Sequence, residues 1–373
     1  MPGNWTLIRN MLLYGPLAVA AVAFLFYALP LKSTWRVKVM WTAFFAFSGL
    51  KFFAFARWGG NMFNPYLPEP VAFFWCFACD MTIYMALMSV IWWVRWHRGT
   101  VIAIAAAALS AWGLWNGFCV PRTVEHVFEY EDLPSELDGY RIVHISDFHT
   151  CRGLTTWRTE RTVDLANSQD ADLICLTGDF LDGLVKTTPD DLKPFRRLKA
   201  KDGVYAVTGN HELYNGLLKW EKAFHENGIN LLANRCVFPR RCLALGGVND
   251  SDAIQSRYQL PHEYVADVSK TFAAATGGEF RLLMQHRPKN AEYNVAVHGV
   301  RLQLSGHTHG GVTPAMESAV ATMNGGFVKG AYPLRGKQGN GFLYVTAGAG
   351  VWGGLPARLF NPSEIAIIVL KRK

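Results

Sequence analysis

Up to residue 118 the apolar positions of the chain come in long, nearly unbroken runs; beyond it they come in short runs set between polar segments. Four of the long runs, Met11–Leu31, Val37–Ala56, Val71–Val94 and Thr100–Phe118, reach the span of about 20 mostly apolar residues that a bilayer requires. A single such run reads equally well as a buried core helix. Four in succession, flanked by basic residues and tryptophans, predict a transmembrane region of four helices over residues 1–118. A cleaved leader does not account for the first run, which is long, shows no small-residue cleavage site and precedes three more.

From residue 119 to 373 the rhythm is that of a folded α/β domain. The stretch "TVEHVFEY" (123–130) alternates like a half-exposed strand, and "RIVHIS" (141–146), "DLICLTG" (172–178) and "GVYAVTG" (203–209) are short runs rich in β-formers. Helices are expected between them over Thr155–Ser168, Pro189–Leu198 and Gly216–Asn227, giving a βαβ alternation with strands buried between helices. Further strands are expected at 231–238, 242–248, 280–285, 300–305, 342–347 and 364–370. Ser251–Gly278, with a helical middle, reads as a connection or lid rather than core.

The net charge of +8 raises the question of a nucleic-acid partner. Its distribution answers it: residues 1–118 carry eight Lys/Arg against two acids, while the rest of the chain holds 29 against 27. The basic excess flanks the apolar runs and forms no stripe suited to a phosphate backbone, so no nucleic acid is expected. Lys32, Arg36 and Lys38 follow the first run, and Arg95 and Arg98 follow the third. The bias of basic loops toward the cytoplasm then puts everything after Phe118 on the external or periplasmic face of a plasma or inner membrane.

The chemistry stands at the strand ends. After "RIVHIS" come Asp147 and His149; after "DLICLTG" come Asp179 and Asp182; after "GVYAVTG" come Asn210, His211 and Glu212; "RLLMQ" leads to His286 and Arg287, and "RLQLSG" to His307 and His309. A lone Asp after a strand is usually a turn or cap, and a lone His usually a satisfied surface or core residue. Five such coincidences at strand carboxyl ends, where ligands gather in α/β sheets, point instead to a site. Oxygen and imidazole donors without thiolate suit one or two divalent cations such as Mn²⁺, Fe²⁺ or Zn²⁺. Cys236 and Cys242 flank "VFPRR" between two expected strands, where a cross-hairpin disulfide and two unrelated thiols are both open readings.

The five blocks, DxH (Asp147, His149), GDxxD (Gly178 to Asp182), GNHE (Gly209 to Glu212), the single His286 and GHxH (Gly306 to His309), resemble the calcineurin-like metallophosphoesterases in content and order. The ending "GAGVWGGLPARLFNPSEIAIIVL" looks like the membrane-associated branch of that family, although Val312 stands where that branch would have Gln after "GHTHGG". The resemblance covers about residues 122–373. It implies a four-layer αββα sandwich after the transmembrane region, holding two divalent metal ions. Asp147, His149 and His309 would hold one ion and Asn210, His286 and His307 the other, with Asp179 bridging them. His211 would donate a proton to the leaving group, with Asp182 orienting it, and Arg287 is a candidate contact for a substrate phosphate. Two nearby cations clamp a phosphoryl group and make hydroxide available near neutral pH.

The expected activity is hydrolysis of a phosphodiester by a membrane-anchored, dinuclear metal-dependent enzyme. Four spans exceed what an anchor needs, which favours a lipid or lipid-linked phosphate presented by the bilayer. A phosphomonoesterase or a pyrophosphohydrolase acting on a nucleotide-linked lipid precursor is the second reading. A non-catalytic membrane sensor or scaffold on the same fold is the rival from another class, and the full set of motifs argues against it. A transporter would need more polar residues within the spans.

Overall fold

In the computed structural model, residues 35–58, 69–92, 99–150, 156–182, 190–214, 216–250, 264–314, 316–337, 339–352 and 358–373 are described. The chain divides into two units, one of Met1–Gly117 with Gly353–Leu359 and one of Phe118–Trp352 with Phe360–Lys373.

In the first unit the long apolar runs form helices α1 (Trp35–Trp58), α2 (Glu69–Trp92) and α3 (Gly99–Phe118). The expected span Met11–Leu31 lies outside the described residues. Among the described residues one helix is long and apolar enough to cross a membrane, over Val101–Phe118, and Phe74–Met88 forms a shorter apolar stretch. Among the described residues, then, one of the four expected spans is supported. Phe45, Met81, Met85, Ile102, Ala106 and Leu359 pack together, and the Ser48 hydroxyl bonds the Ala78 carbonyl at 2.7 Å, tying α1 to α2. Close contact through a small polar residue is a common way to join apolar helices.

The second unit is built on two six-stranded mixed sheets. The first runs in the order β1 (Arg122–Tyr130), β12 (Glu364–Arg372), β2 (Arg141–Ile145), β3 (Leu173–Thr177), β4 (Val204–Val207), β5 (Asn230–Leu231), with β2 to β5 parallel. The second runs β10 (Gly330–Leu334), β11 (Gly341–Val345), β9 (Leu302–Ser305), β8 (Phe280–Met284), β7 (Leu243–Gly247), β6 (Arg235–Arg240), with β7, β8, β9 and β11 parallel. Alternation along each strand sends one set of side chains to the seam and the other outward. Ile142, Leu173 and Val207 meet Leu245, Leu282 and Leu302 between the sheets. On the outer face of the first sheet, Val143, Ile174 and Leu176 pack on Val163 of α4 (Thr156–Asn167) and on Trp220 and Phe224 of α6 (Leu217–Glu226); α5 (Asn210–Tyr214) precedes α6. On the outer face of the second, Ala244 and Leu283 pack on Ala291 and Val295 of α7 (Ala291–His298). The layers are thus helix, sheet, sheet, helix.

Two local expectations need correction, and one open reading is decided. Of the expected helix Pro189–Leu198, the described residues form only a short 3₁₀ turn, Lys193–Arg197; Pro194 would fall inside the expected helix, where it has no N–H to donate. Strand β10 was not expected; it is an edge strand in which Pro333 is tolerated. Cys236 and Cys242 are free thiols, since the β6–β7 register puts Cys236 opposite Gly246.

The seam also buries His144, whose Nε2 meets the Thr177 hydroxyl at 2.8 Å while Nδ1 has no partner. Burial pushes this imidazole down to about 3, so the folded protein keeps it neutral. The stability this contributes is full above the unfolded value near 6.5 and is lost as pH falls toward 3, because only the unfolded chain takes up the proton in that window. Between pH 6.5 and 5 the wild type should lose about 1.6 kcal/mol more than His144→Gln, the slope steepening toward about 1.4 kcal/mol per pH unit. Denaturant unfolding of both proteins across that range checks this, and parallel curves would count against it.

Candidate metal centre

Each block follows a parallel strand, so the sheets deliver its residues to one edge. Strands β2, β3 and β4 end at Asp147/His149, Asp179/Asp182 and Asn210/His211, and β8 and β9 end at His286/Arg287 and His307/His309. The backbone turns sharply there. Asp147, His149, Asp179, His307 and His309 all have φ between 44° and 71°, the left-handed region that residues with a Cβ seldom occupy. Backbone bonds across the loops hold them: the Asp147 N–H donates to Gly178 O and the His149 N–H to Asp179 O, each at 3.0 Å. Two motif glycines are there for space. A Cβ on Gly209 would run into the Asp179 carboxylate, and one on Gly306 into Ser146 Oγ and the Asp147 carboxylate.

The side chains converge in three overlapping groups whose ligand atoms lie within 4.8 Å of one another: Asp147, His149 and His309; His149, Asp179 and His211; Asp179, His286 and His307. Asp179 Oδ2 lies 3.6 Å from His149 Nε2 on one side and 3.3 Å from His286 Nε2 on the other. Asn210 Oδ1 lies 3.2 Å from His286 Nε2, which in turn lies 3.2 Å from His307 Nδ1. His309 Nε2 is 3.1 Å from His149 Nε2 and 3.4 Å from Asp147 Oδ1. All seven proposed ligands are therefore brought together.

The outer nitrogens set the tautomers. His286 Nδ1 meets the Thr177 carbonyl at 2.6 Å and His149 Nδ1 meets Asp182 Oδ1 at 2.9 Å. Each Nδ1 donates, which leaves the Nε2 lone pair facing the cluster, as a metal ligand requires. Buried lone pairs aimed at one another and at carboxylates are unfavourable unless a cation lies between them. Oxygen and imidazole donors in this arrangement fit two divalent cations.

Charge pairing shows in the titration of these groups. Burial opposes charge on Asp179, but His286, His211 and His149 outweigh it and hold the carboxyl well below its usual range. Burial likewise opposes the charge on His211, and Asp179 and Asp182 overcome it, raising the imidazole to about 9. Burial lowers His307 well below the usual histidine value, helped by Arg287.

Asp182 accepts from His211 Nδ1 at 2.6 Å through the same Oδ1 that meets His149. It therefore orients a metal-cluster histidine as well as His211, a second role that sequence reasoning missed. Also unforeseen were Asp250, which is fully buried and takes Arg287 Nε at 3.0 Å, and Asn361, whose Nδ2 donates to the carbonyls of His309 and Gly310 at 2.7 Å each. Neither sits in a recognisable motif. Arg287 lies beside the cluster with its guanidinium held by Asp250.

Comparison with known proteins agrees with this geometry. Residues 140–311 match the family described as calcineurin-like phosphoesterase. A Danio rerio protein named "Transmembrane protein with metallophosphoesterase domain" is 31% identical over 284 residues, 74% of this chain and 63% of its own length. The chain thus spans less than two thirds of that relative. A Helicobacter pylori metallophosphoesterase is 28% identical over 262 residues, 70% of this chain and 67% of its own. Among solved structures, a dimetal phosphatase from Danio rerio aligns with a TM-score of 0.36 at 13% identity, covering 57% of this chain and 88% of its own. Within the second unit, residues 140–311 are thus similar to the calcineurin-like phosphoesterases.

Proposed function

We propose that the protein is a membrane-anchored, two-metal phosphodiesterase whose substrate is a lipid or lipid-linked phosphate, cleaved on the external face of the membrane. The observation that carries the hydrolase reading is Asp179, whose single Oδ2 faces His149 and His286 and so serves both halves of the cluster. Asp147, His149 and His309 would hold one ion, and Asn210, His286 and His307 the other. When bound, the two cations neutralise the phosphoryl oxygens and acidify water, the source of a nucleophile at neutral pH. His211, paired with Asp182, gives its proton to the departing oxygen. Arg287, braced by Asp250, meets a non-reacting phosphate oxygen, where a guanidinium is well suited.

The membrane part of the reading rests on α3. Val101, Ile104 and Trp115 are 65%, 65% and 72% exposed, so the helix turns large apolar groups outward. A relative named as a transmembrane protein supports the same reading. The four-span region and the external side follow from the apolar runs and the basic loops between them.

One experiment tests activity, metal and side together. Sealed right-side-out vesicles carrying the protein should hydrolyse external bis(p-nitrophenyl) phosphate, stop when an impermeant chelator is added, and recover with Mn²⁺. Activity that emerges only after detergent would reverse the side. No metal-dependent turnover in either condition would leave the scaffold reading standing. Lipids that accumulate in a deletion strain then supply the natural substrates to assay.

A further inference from the structure

Glu212 ends the block that carries Asn210 and His211, yet it has no part in the mechanism above. Its side chain is buried and turns back on the loops that bear the ligands. Oε2 accepts the N–H of Gly209 at 2.7 Å and that of Asp179 at 3.0 Å, and Oε1 accepts the N–H of Phe180 at 2.9 Å. Three backbone donors from two loops thus meet one carboxylate. The loops touch closely: a Cβ on Gly178 would come within 2.5 Å of Gly209 N.

The clamp falls where restraint is needed. Asp179 has φ 54°, a conformation that persists only when its surroundings over-determine it. Glu212 fixes its amide, and the His211 N–H fixes its Oδ1 at 2.9 Å. With both ends held, Oδ2 is left aimed between His149 and His286.

We infer that Glu212 is a positioning residue that sets the affinity of the centre for its metal pair by fixing the bridging carboxylate, without touching metal or substrate. The inference rests on the two-metal reading. Three N–H groups call for a carboxylate, because Gln offers one acceptor oxygen and an NH₂. With that oxygen in place of Oε2, the NH₂ faces the Phe180 N–H; turned over, it faces those of Gly209 and Asp179. Either way a buried donor opposes a donor, which is more costly than a bond simply lost.

The test is equilibrium dialysis of the full chain in detergent against Mn²⁺, with bound metal counted directly. The wild type should hold two ions. Glu212→Gln should bind them about 10-fold to 100-fold more weakly, the range for partners that orient metal ligands, while KM at saturating Mn²⁺ stays at the wild-type value. Val163→Ala, a cavity in the outer core, should lower the melting temperature and leave Mn²⁺ affinity alone. If Glu212→Gln behaves like Val163→Ala, Glu212 only supports the fold and the inference fails. Should Glu212→Gln not fold, Glu212→Asp decides: the shorter arm should still weaken binding several-fold, and wild-type affinity there overturns the inference. A wild type that holds fewer than two ions refutes the two-metal reading itself.

Discussion

Asp179→Asn should strip metal from the protein and lower turnover by roughly 10²–10³-fold, the scale seen when a preorganised electrostatic group is removed from a reacting centre. The substitution keeps the size of the side chain. Its remaining oxygen can still accept the His211 N–H that now bonds Oδ1 at 2.9 Å. The amide NH₂ then takes the place of Oδ2, facing His149 Nε2 and His286 Nε2, which lie 3.6 and 3.3 Å from that atom. Two lone pairs that would bind cations acquire hydrogen-bond donors instead, and the negative charge shared by both halves is gone. His307→Ala should act on one half only, removing a donor from the group it forms with Asp179 and His286. Metal per chain, counted alongside bis(p-nitrophenyl) phosphate hydrolysis, separates the two variants. Two retained ions and wild-type turnover in Asp179→Asn would remove the bridging role.

Why these ligands can be read from the sequence, while their supports cannot, follows from the fold. Asp147, Asp179, Asn210, His286 and His307 each follow a short apolar strand within a few residues. Because β2, β3 and β4 run parallel, as do β8 and β9, every such ending falls on the same edge. Local pattern is enough to find them. The supports come from segments joined only by tertiary register. Asn361 reaches the carbonyl of His309 across 52 positions of sequence, from the approach to β12, a strand that lies in the other sheet. Asp250 follows β7 with no motif around it, and its value to Arg287 depends on β7 and β8 being neighbours. Cys236 and Cys242 show the same limit: proximity along the chain left a pair and two separate thiols equally open, and the β6–β7 register, with its shift between Val237 and Arg240, leaves them free. In the first unit, one of the four runs read as spans, Val101–Phe118, is long and apolar enough to cross a membrane among the described residues.

His211→Ala should lose rate while keeping metal, and this contrast with Asp179→Asn separates proton transfer from ligation. His211 Nε2 is 4.0 Å from Asp179 Oδ2, farther than His149 or His286, and its Nδ1 is committed to Asp182 at 2.6 Å. The ring is therefore held by a carboxylate, with its far nitrogen at the margin of the cluster. Burial works against its charge, but Asp179 and Asp182 raise the imidazole to about 9, so it carries the proton that a general acid must give. Loss of such an acid typically costs roughly 10²–10⁴-fold in rate. The cost should shrink with the basicity of the departing oxygen: p-nitrophenolate leaves without help, whereas an alkyl alcohol needs the proton. Turnover of a p-nitrophenyl diester and an alkyl diester by wild type and variant, with metal content measured on the same samples, gives the readout. Should His211→Ala lose metal as completely as Asp179→Asn, His211 is a ligand. Should both esters slow by the same factor with metal retained, it positions the substrate and transfers no proton.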